Sequence, residues 1–376
     1  MSKIKPIAFY LPQYHPISDN DAWWGKGFTE WTNVTKAKPL FEGHWQPRLP
    51  SELGFYDLRV SETRIAQAEL AKQYGIFGFS YWHYWFGGKQ ILERPLEEVI
   101  ALSKPDFPFC IAWANQTWKG TWHGLSSNKV LVEQTYPGKK DYEAHFYYLL
   151  RAFQDPRYIE VNGKKLFQVF QPLDIPDNIA FTDCWQNLAI KEGLNGIHFV
   201  AMHMPAEWNL KQHGYEATVQ AANPWERYLE KPVIKIDFGS RIIQKLKLAK
   251  GQKPEGPRKV FYKDFVDHYP ETKVAAKEYP LLFADWDNTP RSGKDGWLFK
   301  DFSLELFEQM CYKAFEATAN KSESEKFVMV KSWNEWAEGN YLEPDQKYGH
   351  AYLQTFNNAL NRYYKSIKTN STSAAY

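Results

Sequence analysis

The sequence contains little cysteine and no long apolar segment. Only three cysteines, Cys110, Cys184 and Cys311, occur among 376 residues. An odd and widely spaced set fits neither a disulfide framework nor a zinc site, so buried free thiols are expected. No run of about 18 apolar residues could cross a bilayer, and the first residues show no secretory signal. From these absences we expect a cytoplasmic protein without a transmembrane segment.

The sequence also lacks a large excess of positive or negative charge, and it lacks metal-binding patterns. Lysine and arginine total 46 against 44 acidic residues, a formal net charge of +2. This balance argues against nucleic acid or an anionic membrane as the main partner. The ten histidines show no paired spacing on one helix, and no acidic cluster resembles a calcium loop, so no metal or other cofactor is expected. The Gly-x-Ser-x-Gly motif of serine hydrolases is absent too.

Aromatic residues, in contrast, are abundant. Phe, Trp and Tyr make up 17% of the chain, and many of them lie in polar segments that contain glycine and asparagine. Sugar-binding clefts use aromatic rings in this way, because an indole offers a flat apolar face to a sugar ring; an aromatic-rich core is the alternative. The loop at 21–33 is the most aromatic of these segments, and long loops of this kind usually bind something.

A short apolar run, an aromatic and polar cluster and an amphipathic helical stretch recur along the chain. Continuous apolar strands that alternate with helices indicate parallel strands covered on the outside. The apolar runs lie at 6–11, 75–80, 107–112, 166–170, 196–201, 216–221, 280–284 and 327–333. Helices are predicted at 61–74, 92–103, 141–153, 182–192, 260–268, 303–319 and 350–366.

Eight such units predict an α/β protein, a single (β/α)8 TIM barrel with long loops at its C-terminal face. A doubly wound open sheet is the alternative, but no glycine-rich phosphate loop supports it. The barrel domain is expected to cover residues 1–368, with a long inserted loop at 227–257 and a disordered tail at 369–376. In such barrels the active site lies at the C-terminal ends of the strands, where the polar and aromatic clusters of this sequence fall.

Two glutamates three residues apart follow the last predicted strand. Glu335 and Glu338 lie in the Trp-Asn-Glu-Trp-Ala-Glu-Gly segment at 333–339. Paired carboxyl groups are what glycosyl transfer requires, one as an acid and the other as a base or nucleophile. We therefore predict that both are catalytic; a solvated loop that happens to contain two acids is the alternative. Neighbouring indoles favour a neutral carboxyl group, so a raised pKa is predicted for Glu338.

Residues at the ends of the other predicted strands are candidates for binding a sugar. Hydrogen bonds recognise the hydroxyl groups of a sugar, and aromatic rings recognise its apolar face. The alternatives are loops that pack on themselves, turn formation by asparagine and structural roles for lone histidines. The predicted substrate-binding residues are Tyr10, His15, Glu30, Trp31, Tyr81, His83, Trp113, Asn115, Trp118, His203, Asp285, Trp286, Asn334 and Trp336.

Several of these segments together resemble the WbsX family. The segments are Phe-Tyr-Leu-Pro-Gln-Tyr-His at 9–15, Trp-Gly at 24–25, Glu-Trp-Thr-Asn at 30–33, Tyr-Trp-His-Tyr at 81–84, Trp-Ala-Asn at 113–115 and the segment at 333–339. The resemblance covers nearly the whole chain, and the combination of motifs is specific. The family is described as glycosyltransferases of O-antigen and lipopolysaccharide synthesis, and also as proteins with a glycoside hydrolase family 99-like domain.

The resemblance implies a function for each glutamate. The family 99 hydrolases are (β/α)8 retaining endo-α-mannosidases with a closing Asn-Glu-Trp-x-Glu-Gly motif. On this pattern Glu335 corresponds to the residue proposed to deprotonate the 2-hydroxyl of the sugar, and Glu338 to the general acid/base. The 2-oxygen then attacks the anomeric carbon, and the resulting 1,2-anhydro sugar is opened with retention. Ala337 stands where these mannosidases usually have histidine, which puts mannose specificity in question.

Three functions are compatible with these residues. A retaining glycoside hydrolase or transglycosidase acting on a bacterial surface polysaccharide or its precursor is favoured, because two acids at the end of the last barrel strand are hydrolase machinery. A glycosyltransferase of lipopolysaccharide or O-antigen biosynthesis that uses an activated donor is the first alternative. The Asp-Trp-Asp run at 285–287 matches the metal motif of such enzymes in letters only. A non-catalytic carbohydrate-binding barrel is the third, and in each case the expected partner is an oligo- or polysaccharide.

Overall fold

The computed structural model describes residues 3–120, 129–205, 208–219, 256–269 and 277–373. Parallel strands form its centre, and most of their residues are buried on both faces. The strands are β1 (Lys5–Tyr10), β2 (Gly78–Phe86), β3 (Phe109–Trp113), β4 (Lys164–Val169), β5 (Ile197–Ala201), β6 (Ala217–Val219), β7 (Glu278–Tyr279), β8 (Leu281–Phe283) and β9 (Phe327–Lys331). Their order is β7-β6-β5-β4-β3-β2-β1-β9-β8, and every neighbouring pair is parallel.

The two ends of this strand order meet at Pro280. β7 pairs with β6 on one side and β8 pairs with β9 on the other, while a single proline separates β7 from β8. Proline has no N–H to donate, which interrupts the strand, but its carbonyl still accepts a hydrogen bond from Met329 N at 2.8 Å. If residues 278–283 are counted as one strand, eight parallel strands form the barrel. The predicted (β/α)8 barrel is confirmed.

Helices cover the outside of this ring. Side-chain caps fix the starts of two of them: Asp177 accepts a hydrogen bond from Ala180 N at 2.9 Å, and Ser303 accepts one from Leu306 N at 3.3 Å. The α-helices are α1 (Ser18–Trp24), α2 (Glu30–Lys36), α3 (Ser61–Gln73), α4 (Arg94–Leu102), α5 (Lys139–Phe153), α6 (Asn178–Lys191), α7 (Tyr262–Asp267), α8 (Thr289–Ser292), α9 (Leu304–Glu316) and α10 (Ala351–Ser373). Among the described residues, no helix combines the length and the apolar character needed to cross a bilayer.

Short strands and 3₁₀ turns complete the described chain. The short strand pairs are Lys89–Ile91 with β2, Glu160–Val161 with β4, Trp118–Lys119 with Val130–Val132, Arg258–Phe261 with Trp297–Lys300, and Asn334–Glu335 with Asn340–Tyr341. The 3₁₀ turns are Pro172–Asp174, Leu210–His213, Gly293–Asp295, Glu323–Glu325 and Trp336–Glu338. The last strand pair and the last turn lie directly after β9 and carry the two glutamates.

Alternate residues of a barrel strand face opposite sides of the wall. In β2, Trp82 faces inward and stacks on Phe9 of β1, with ring centroids 4.8 Å apart. Its neighbour His83 faces outward, where its Nε2 lies 2.9 Å from Nε2 of His145 on α5. Inward residues near the C-terminal ends of the strands therefore reach the mouth of the barrel, and outward residues pack under the helices.

The eight predicted strands and seven predicted helices are present, with ends that differ by a few residues. β2 is longer than predicted and runs to Phe86, because the aromatic cluster at 81–85 continues the strand instead of following it. α10 ends at Ser373, so the predicted disordered tail is wrong for 369–373. The predicted insertion at 227–257 lies almost wholly outside the described residues.

Candidate functional site

A cleft of about 430 Å³ opens at the C-terminal mouth of the barrel. Aromatic side chains form much of its wall, namely Trp82, Tyr84, Trp118, Phe170, Trp286 and Trp297. The remaining lining residues are Leu11, Gln13, Ala114, Gln116, Asn288, Arg291, Ser292, Lys331, Glu335 and Glu338. A concave site of this volume, with apolar walls and a few convergent polar groups, is typical of a small-ligand or substrate site.

The turn after β9 places both glutamates in the cleft. Glu335 lies on a two-residue strand, and Glu338 ends the 3₁₀ turn that follows it. Ser332 ties this turn together, because its Oγ accepts a hydrogen bond from Glu335 N at 2.9 Å and donates one to Asn340 O at 2.7 Å. The serine hydroxyl therefore bridges the two arms of the turn and fixes the position of the glutamates relative to each other.

Two further residues hold this turn against the barrel. Gly339 has a φ of 66°, and a Cβ atom there would lie 2.7 Å from Asp287 N, so a larger side chain would displace the turn. The amide of Asn334 accepts a hydrogen bond from Leu11 N at 2.7 Å and donates one to Leu11 O at 3.1 Å. The turn is thereby anchored to the chain that leaves β1.

A buried carboxyl group supports the turn from the protein interior. Glu343 accepts hydrogen bonds from Trp336 Nε1 at 2.7 Å, Gln67 Nε2 at 2.6 Å and Tyr56 OH at 2.8 Å. Burial raises the pKa of Glu343 to about 7, against the lowering effect of these donors. The network fixes the indole of Trp336, which stacks on Tyr341 with ring centroids 3.8 Å apart and stays outside the cleft lining.

Arg291 of α8 joins three carboxyl groups. Its Nε and Nη2 lie 2.8 and 2.6 Å from Glu30 Oε1. Its Nη1 lies 2.7 Å from Glu338 Oε1 and 3.3 Å from Glu335 Oε1. Lys331 of β9 adds a second cation, with its Nζ 3.6 Å from Glu338 Oε2. Two cations therefore face three acids in a site that is largely shielded from water.

The two cleft glutamates differ in their affinity for a proton. Burial raises the pKa of Glu335, and the charge of Glu338 raises it further. Burial also acts to raise the pKa of Glu338, but Arg291 and Lys331 outweigh it and lower this pKa, as does a hydrogen bond with the Glu335 side chain. The predicted raised pKa at Glu338 is wrong, because the sequence showed the indoles but not the two cations; the raised pKa belongs to Glu335.

Two of the predicted substrate-binding residues, Trp118 and Trp286, line the cleft together with Glu335 and Glu338. Glu30 lies directly behind the lining, where it is fully buried and paired with Arg291. The other predicted substrate-binding side chains are not part of this lining and have structural partners elsewhere. For those residues the structure does not support the expected contact with a substrate.

Several of them lie on the outward positions of the barrel strands. Tyr10 donates a hydrogen bond to Gln67 of α3 at 2.6 Å, and Tyr81 packs on the ring of Tyr10 with centroids 4.7 Å apart. Trp113 donates its indole N–H to Trp85 O at 3.1 Å. These side chains pack on the outer side of the barrel wall, because strand alternation turns them away from the mouth.

His83 also occupies an outward position. Its ring stacks with that of His145, with centroids 5.0 Å apart, and the two Nε2 atoms share a hydrogen bond. Burial lowers the pKa of His83 to about 3 and lowers that of His145 as well. The pair is therefore uncharged at neutral pH and joins β2 to α5.

Asn115 and Trp31 have the structural roles that were the alternatives to sugar binding. Asn115 Nδ2 donates a hydrogen bond to Gln171 O at 2.7 Å, and Trp31 Nε1 donates one to Tyr56 O at 2.8 Å. Each side chain ties one loop to another, as Asn334 does for the turn after β9. Their amide and indole groups are engaged by backbone atoms and not by the cleft.

His15, His203 and Asp285 lie outside the lining too. His15 is buried, and its Nδ1 lies 3.0 Å from a backbone carbonyl three residues earlier. His203 packs against Phe170 from outside, with ring centroids 4.3 Å apart. Asp285 Oδ2 lies 2.8 Å from Arg48 Nη1. The histidines act as structural groups, and the aspartate belongs to a separate ion cluster.

Most residues that line the cleft were not predicted, and among them are Trp82, Tyr84, Lys331 and Arg291. A signal exists for the first three. Trp82 and Tyr84 are alternate residues of the cluster at 81–85, and Lys331 is a charge at the end of an apolar strand. Arg291 carries no comparable signal, because it lies 44 residues before Glu335 and reaches it only in the folded barrel.

Comparison with known proteins identifies the family. A sequence model described as Glycosyltransferase WbsX matches residues 6–356, a range that includes both cleft glutamates. The chain belongs to the WbsX family. Two curated relatives from strains of Xanthomonas campestris pv. campestris, both described as "Uncharacterized protein WxcX", are 34% identical over 361 residues. The match covers 95% of this chain and 49% of each relative, so the chain spans about half the length of the curated relatives it matches.

Solved structures share the fold of this WbsX family member. A structure described as "Glycoside hydrolase-like protein" matches with a TM-score of 0.59 and 13% identity over 96% of this chain and 94% of the other. The GH99 endo-alpha-mannosidase from Bacteroides thetaiotaomicron matches with a TM-score of 0.57 and 12% identity over 98% of this chain and 100% of the other. Likeness at this level of identity shows the fold alone, and it agrees with the barrel described above.

Proposed function

We propose that this WbsX family member is a carbohydrate-active enzyme, a retaining glycoside hydrolase or transglycosidase that acts on a bacterial surface polysaccharide or its precursor. The observation that carries this proposal is a pair of carboxyl groups with unequal proton affinity in an aromatic-walled cleft at the barrel mouth. Such a pair can supply one acid and one base. The proposed catalytic residues are Glu335 and Glu338.

Cleavage of a glycosidic bond requires a proton on the leaving oxygen and stabilisation of positive charge at the anomeric carbon. A neutral carboxyl group provides the proton, and an ionised neighbour provides the negative charge. Indole and phenol rings of the wall offer apolar faces for sugar rings and keep water from the bond that breaks. Gln13, Gln116 and Asn288 provide amide groups for sugar hydroxyls in the same cleft.

The closeness of the two carboxyl groups bears on the stereochemistry. Arg291 Nη1 lies 2.7 Å from Glu338 Oε1 and 3.3 Å from Glu335 Oε1, so these two oxygens are at most about 6 Å apart. Direct displacement with retention uses carboxyl groups about 5–5.5 Å apart, and inversion uses about 6.5–9.5 Å. The spacing therefore favours retention over inversion, and the route in which the neighbouring 2-hydroxyl of the sugar is the nucleophile also retains the configuration.

The nature of the glycan is inferred from the family. The WbsX family is associated with O-antigen and lipopolysaccharide synthesis, which points to bacterial surface polysaccharides or their precursors as the substrate class. The cleft contributes the aromatic walls expected for a glycan chain. Ala337 replaces the histidine usual in family 99 mannosidases, so the proposal does not extend to mannose.

Replacement of each glutamate tests the proposal. Glu335→Gln and Glu338→Gln keep the shape of the side chain and remove its proton chemistry, and Glu69→Gln on the exposed face of α3 is the matched control. The variants would be incubated with O-antigen-type polysaccharides and oligosaccharides, and released or transferred glycans would be measured by mass spectrometry. We expect a loss of about 10²-fold or more for either cleft variant and none for the control. Turnover that survives both single changes would contradict the proposal.

Transfer from an activated sugar donor is a second candidate, favoured by the description of the family as glycosyltransferases. The surroundings of Asp285 and Asp287 weigh against a metal-dependent version, because these carboxylates are paired with Arg48 and His44. A thermal shift screen separates the candidates, since a ligand stabilises the fold that binds it. Stabilisation by nucleotide sugars and not by oligosaccharides would favour the transferase.

A non-catalytic carbohydrate-binding barrel is the remaining alternative. It predicts that a glycan binds equally well to the wild type and to both glutamine variants and is never turned over. Isothermal titration with the same glycans, carried out beside the turnover assay, would detect this pattern.

A further inference from the structure

Arg291 contacts the two cleft glutamates unequally. Its Nη1 lies 2.7 Å from Glu338 Oε1 and 3.3 Å from Glu335 Oε1, and only the shorter contact has the length of a charge-assisted hydrogen bond. Lys331 lies on the Glu338 side too, 3.6 Å from its other oxygen. Both cations of the described cleft lining therefore favour the ionised form of Glu338.

Glu335 has surroundings that are less favourable to a negative charge, although Lys331 and Arg291 also act to lower its pKa. Its Oε2 is buried and accepts no hydrogen bond from any residue that the structure describes. An unpartnered buried oxygen is unfavourable for a carboxylate, and a proton on that oxygen relieves the cost. The other oxygen makes the longer contact with Arg291, at 3.3 Å. Burial and the charge of Glu338 raise the pKa of Glu335 accordingly.

Glu30 fixes the orientation of Arg291. Both Nε and Nη2 of the guanidinium contact Glu30 Oε1, and this carboxyl group on α2 is fully buried. Two contacts along one edge of the planar group leave Nη1 directed at the glutamates of the cleft. Glu30 is therefore placed to act on those glutamates through Arg291.

We propose that Arg291, held by Glu30, is a positioning residue that keeps Glu338 ionised and leaves the exchangeable proton of the pair on Glu335 in the ligand-free protein. The charge assignment stands on the contacts alone, whereas its catalytic meaning rests on the proposed function. The other titratable groups that interact with this cluster are Tyr14, Lys36 and Tyr84. Burial raises the pKa of both tyrosines, so they stay neutral.

In this arrangement the reaction begins with Glu335 as the proton donor. Its O–H bond breaks, its proton passes to the glycosidic oxygen, and the electron pair of the breaking C1–O bond stays on that oxygen. Glu338 takes the proton of the 2-hydroxyl, whose oxygen bonds to C1. Water or another hydroxyl then attacks C1 and gives its proton to Glu335, the bond between C1 and the 2-oxygen breaks with its electron pair on that oxygen, and Glu338 returns its proton to it. This order is the reverse of the one that the family resemblance implies.

Direct titration of the carboxyl groups locates the proton without a substrate. Infrared difference spectra of the ligand-free protein would follow the C=O band of protonated carboxyl groups with pH, for wild type, Glu335→Gln and Glu338→Gln. We expect Glu335→Gln to lose one carboxyl group that titrates near neutral pH. Glu338→Gln should keep that group, shifted to lower pH because the neighbouring charge is gone. Loss of the near-neutral group in Glu338→Gln and not in Glu335→Gln would overturn the proposal.

Two other acids of the described residues, Asp285 and Glu343, are expected to titrate in the same range. Burial raises the pKa of Asp285 to about 6 and that of Glu343 to about 7. Both groups are present in the wild type and in each variant. Their signals therefore cancel when the spectrum of a variant is subtracted from that of the wild type, and the difference reports the cleft pair.

Changes at Arg291 test its positioning role. Arg291→Met should raise the titration midpoint of Glu338 by about one pH unit or more, because a contacting opposite charge is lost. Arg291→Lys keeps the charge but removes the planar guanidinium, and Glu30→Gln removes the carboxylate that orients it. Each of these changes should raise the midpoint of Glu338 by a smaller amount. Arg362→Met, at an exposed ion pair of α10, is the matched control and should leave it unchanged. An unmoved midpoint in both Arg291→Lys and Glu30→Gln overturns the proposal even if Arg291→Met does not fold.

Failure of this proposal can be told apart from failure of the proposed function. If glycan turnover requires both glutamates but the spectra place the proton on Glu338, the charge assignment is wrong and the function stands. If the spectra place the proton on Glu335 but no glycan is turned over, the function is wrong and the charge assignment stands.

Discussion

Two arginines of this barrel, Arg48 and Arg291, contact acidic side chains in different ways. Arg48 lies 2.8 Å from Asp285 and 3.8 Å from Asp287, and all four carboxylate oxygens of these aspartates have hydrogen-bond partners. The partners are Arg48 itself, Trp286 N, His44, Gln46 and Thr289. Arg291, in contrast, borders a cleft, and Glu335 Oε2 beside it has no partner among the described residues.

This difference separates a structural ion cluster from a reactive one. In the closed cluster around Arg48 every carboxylate oxygen is satisfied, so the cluster holds the loop at 44–48 against the barrel. In the open cluster three acids share Arg291 and Lys331, and one carboxyl group is left without a full counter-charge. A carboxyl group that lacks some of its hydrogen bonds and counter-charge, and that borders a cleft, is expected where a protein uses that group for proton transfer.

Removal of each arginine should give the largest contrast. Arg48→Met leaves two buried aspartates without their counter-charge and should lower the free energy of unfolding by about 3–5 kcal/mol. Arg291→Met should cost less, roughly 1–3 kcal/mol, because Glu335 and Glu338 border a cleft that admits water and the buried Glu30 can take up a proton. Denaturant titration of both variants measures the two values. A larger loss for Arg291→Met would reverse the distinction between the clusters.

Trp286 lies between the two aspartates of the Arg48 cluster, but its own ring lines the cleft. Trp286→Phe shortens the aromatic wall and should raise the KM for a glycan about tenfold, or ~1.4 kcal/mol, with little change in kcat. Steady-state kinetics would measure this. Trp45→Phe, which removes an indole stacked on Arg48 at 4.8 Å, is the matched control. Equal KM values for all three proteins would place the sugar elsewhere.

The pH dependence of stability should distinguish Glu335 from Asp287. The raised pKa of Glu335 means that the folded protein binds this proton more tightly than the unfolded chain, where the pKa is about 4.3. The stability from this group is complete below that value and is lost as pH rises toward neutral. Burial acts to raise the pKa of Asp287, but His44 and Arg48 lower it. Its contribution is therefore present at neutral pH and is lost in acid.

Unfolding free energies measured from acid to neutral pH test both signs. Glu335→Gln should flatten the decline of stability toward neutral pH, by up to about 1.4 kcal/mol per pH unit. Asp287→Asn should instead reduce the pH-dependent loss of stability in acid. An unchanged slope for Glu335→Gln would mean that its carboxyl group behaves as an exposed one and that the open cluster holds no bound proton.

The smallest effect is expected at Lys331, whose contact with Glu338 is longer than that of Arg291. Lys331→Met should raise the pKa of Glu338 by about half a unit, less than Arg291→Met does. The limb of the pH profile of kcat/KM that reports Glu338 would measure this shift. A shift larger than that caused by Arg291→Met would make the lysine the dominant cation of the open cluster.

The strands and helices of the barrel could be predicted from the sequence, but which strand side chains point into the barrel and which point out could not. Apolar runs and helical periodicity are local, so the strands and helices were found near their observed positions. β2 is buried on both faces, and its residues from Tyr81 to Trp85 are all aromatic or histidine, so alternation leaves no visible pattern. The sequence therefore indicates Tyr81 and His83 as substrate contacts, whereas in the structure Trp82 and Tyr84 line the cleft.

The sequence by itself determined the barrel, the family and the position of Glu335 and Glu338 after the last strand, because all three follow from local patterns and contiguous motifs. The tertiary structure decided which carboxyl group binds a proton more tightly. That property depends on charges brought together from α2, α8 and β9, and electrostatic interactions follow distance in space and not separation along the chain.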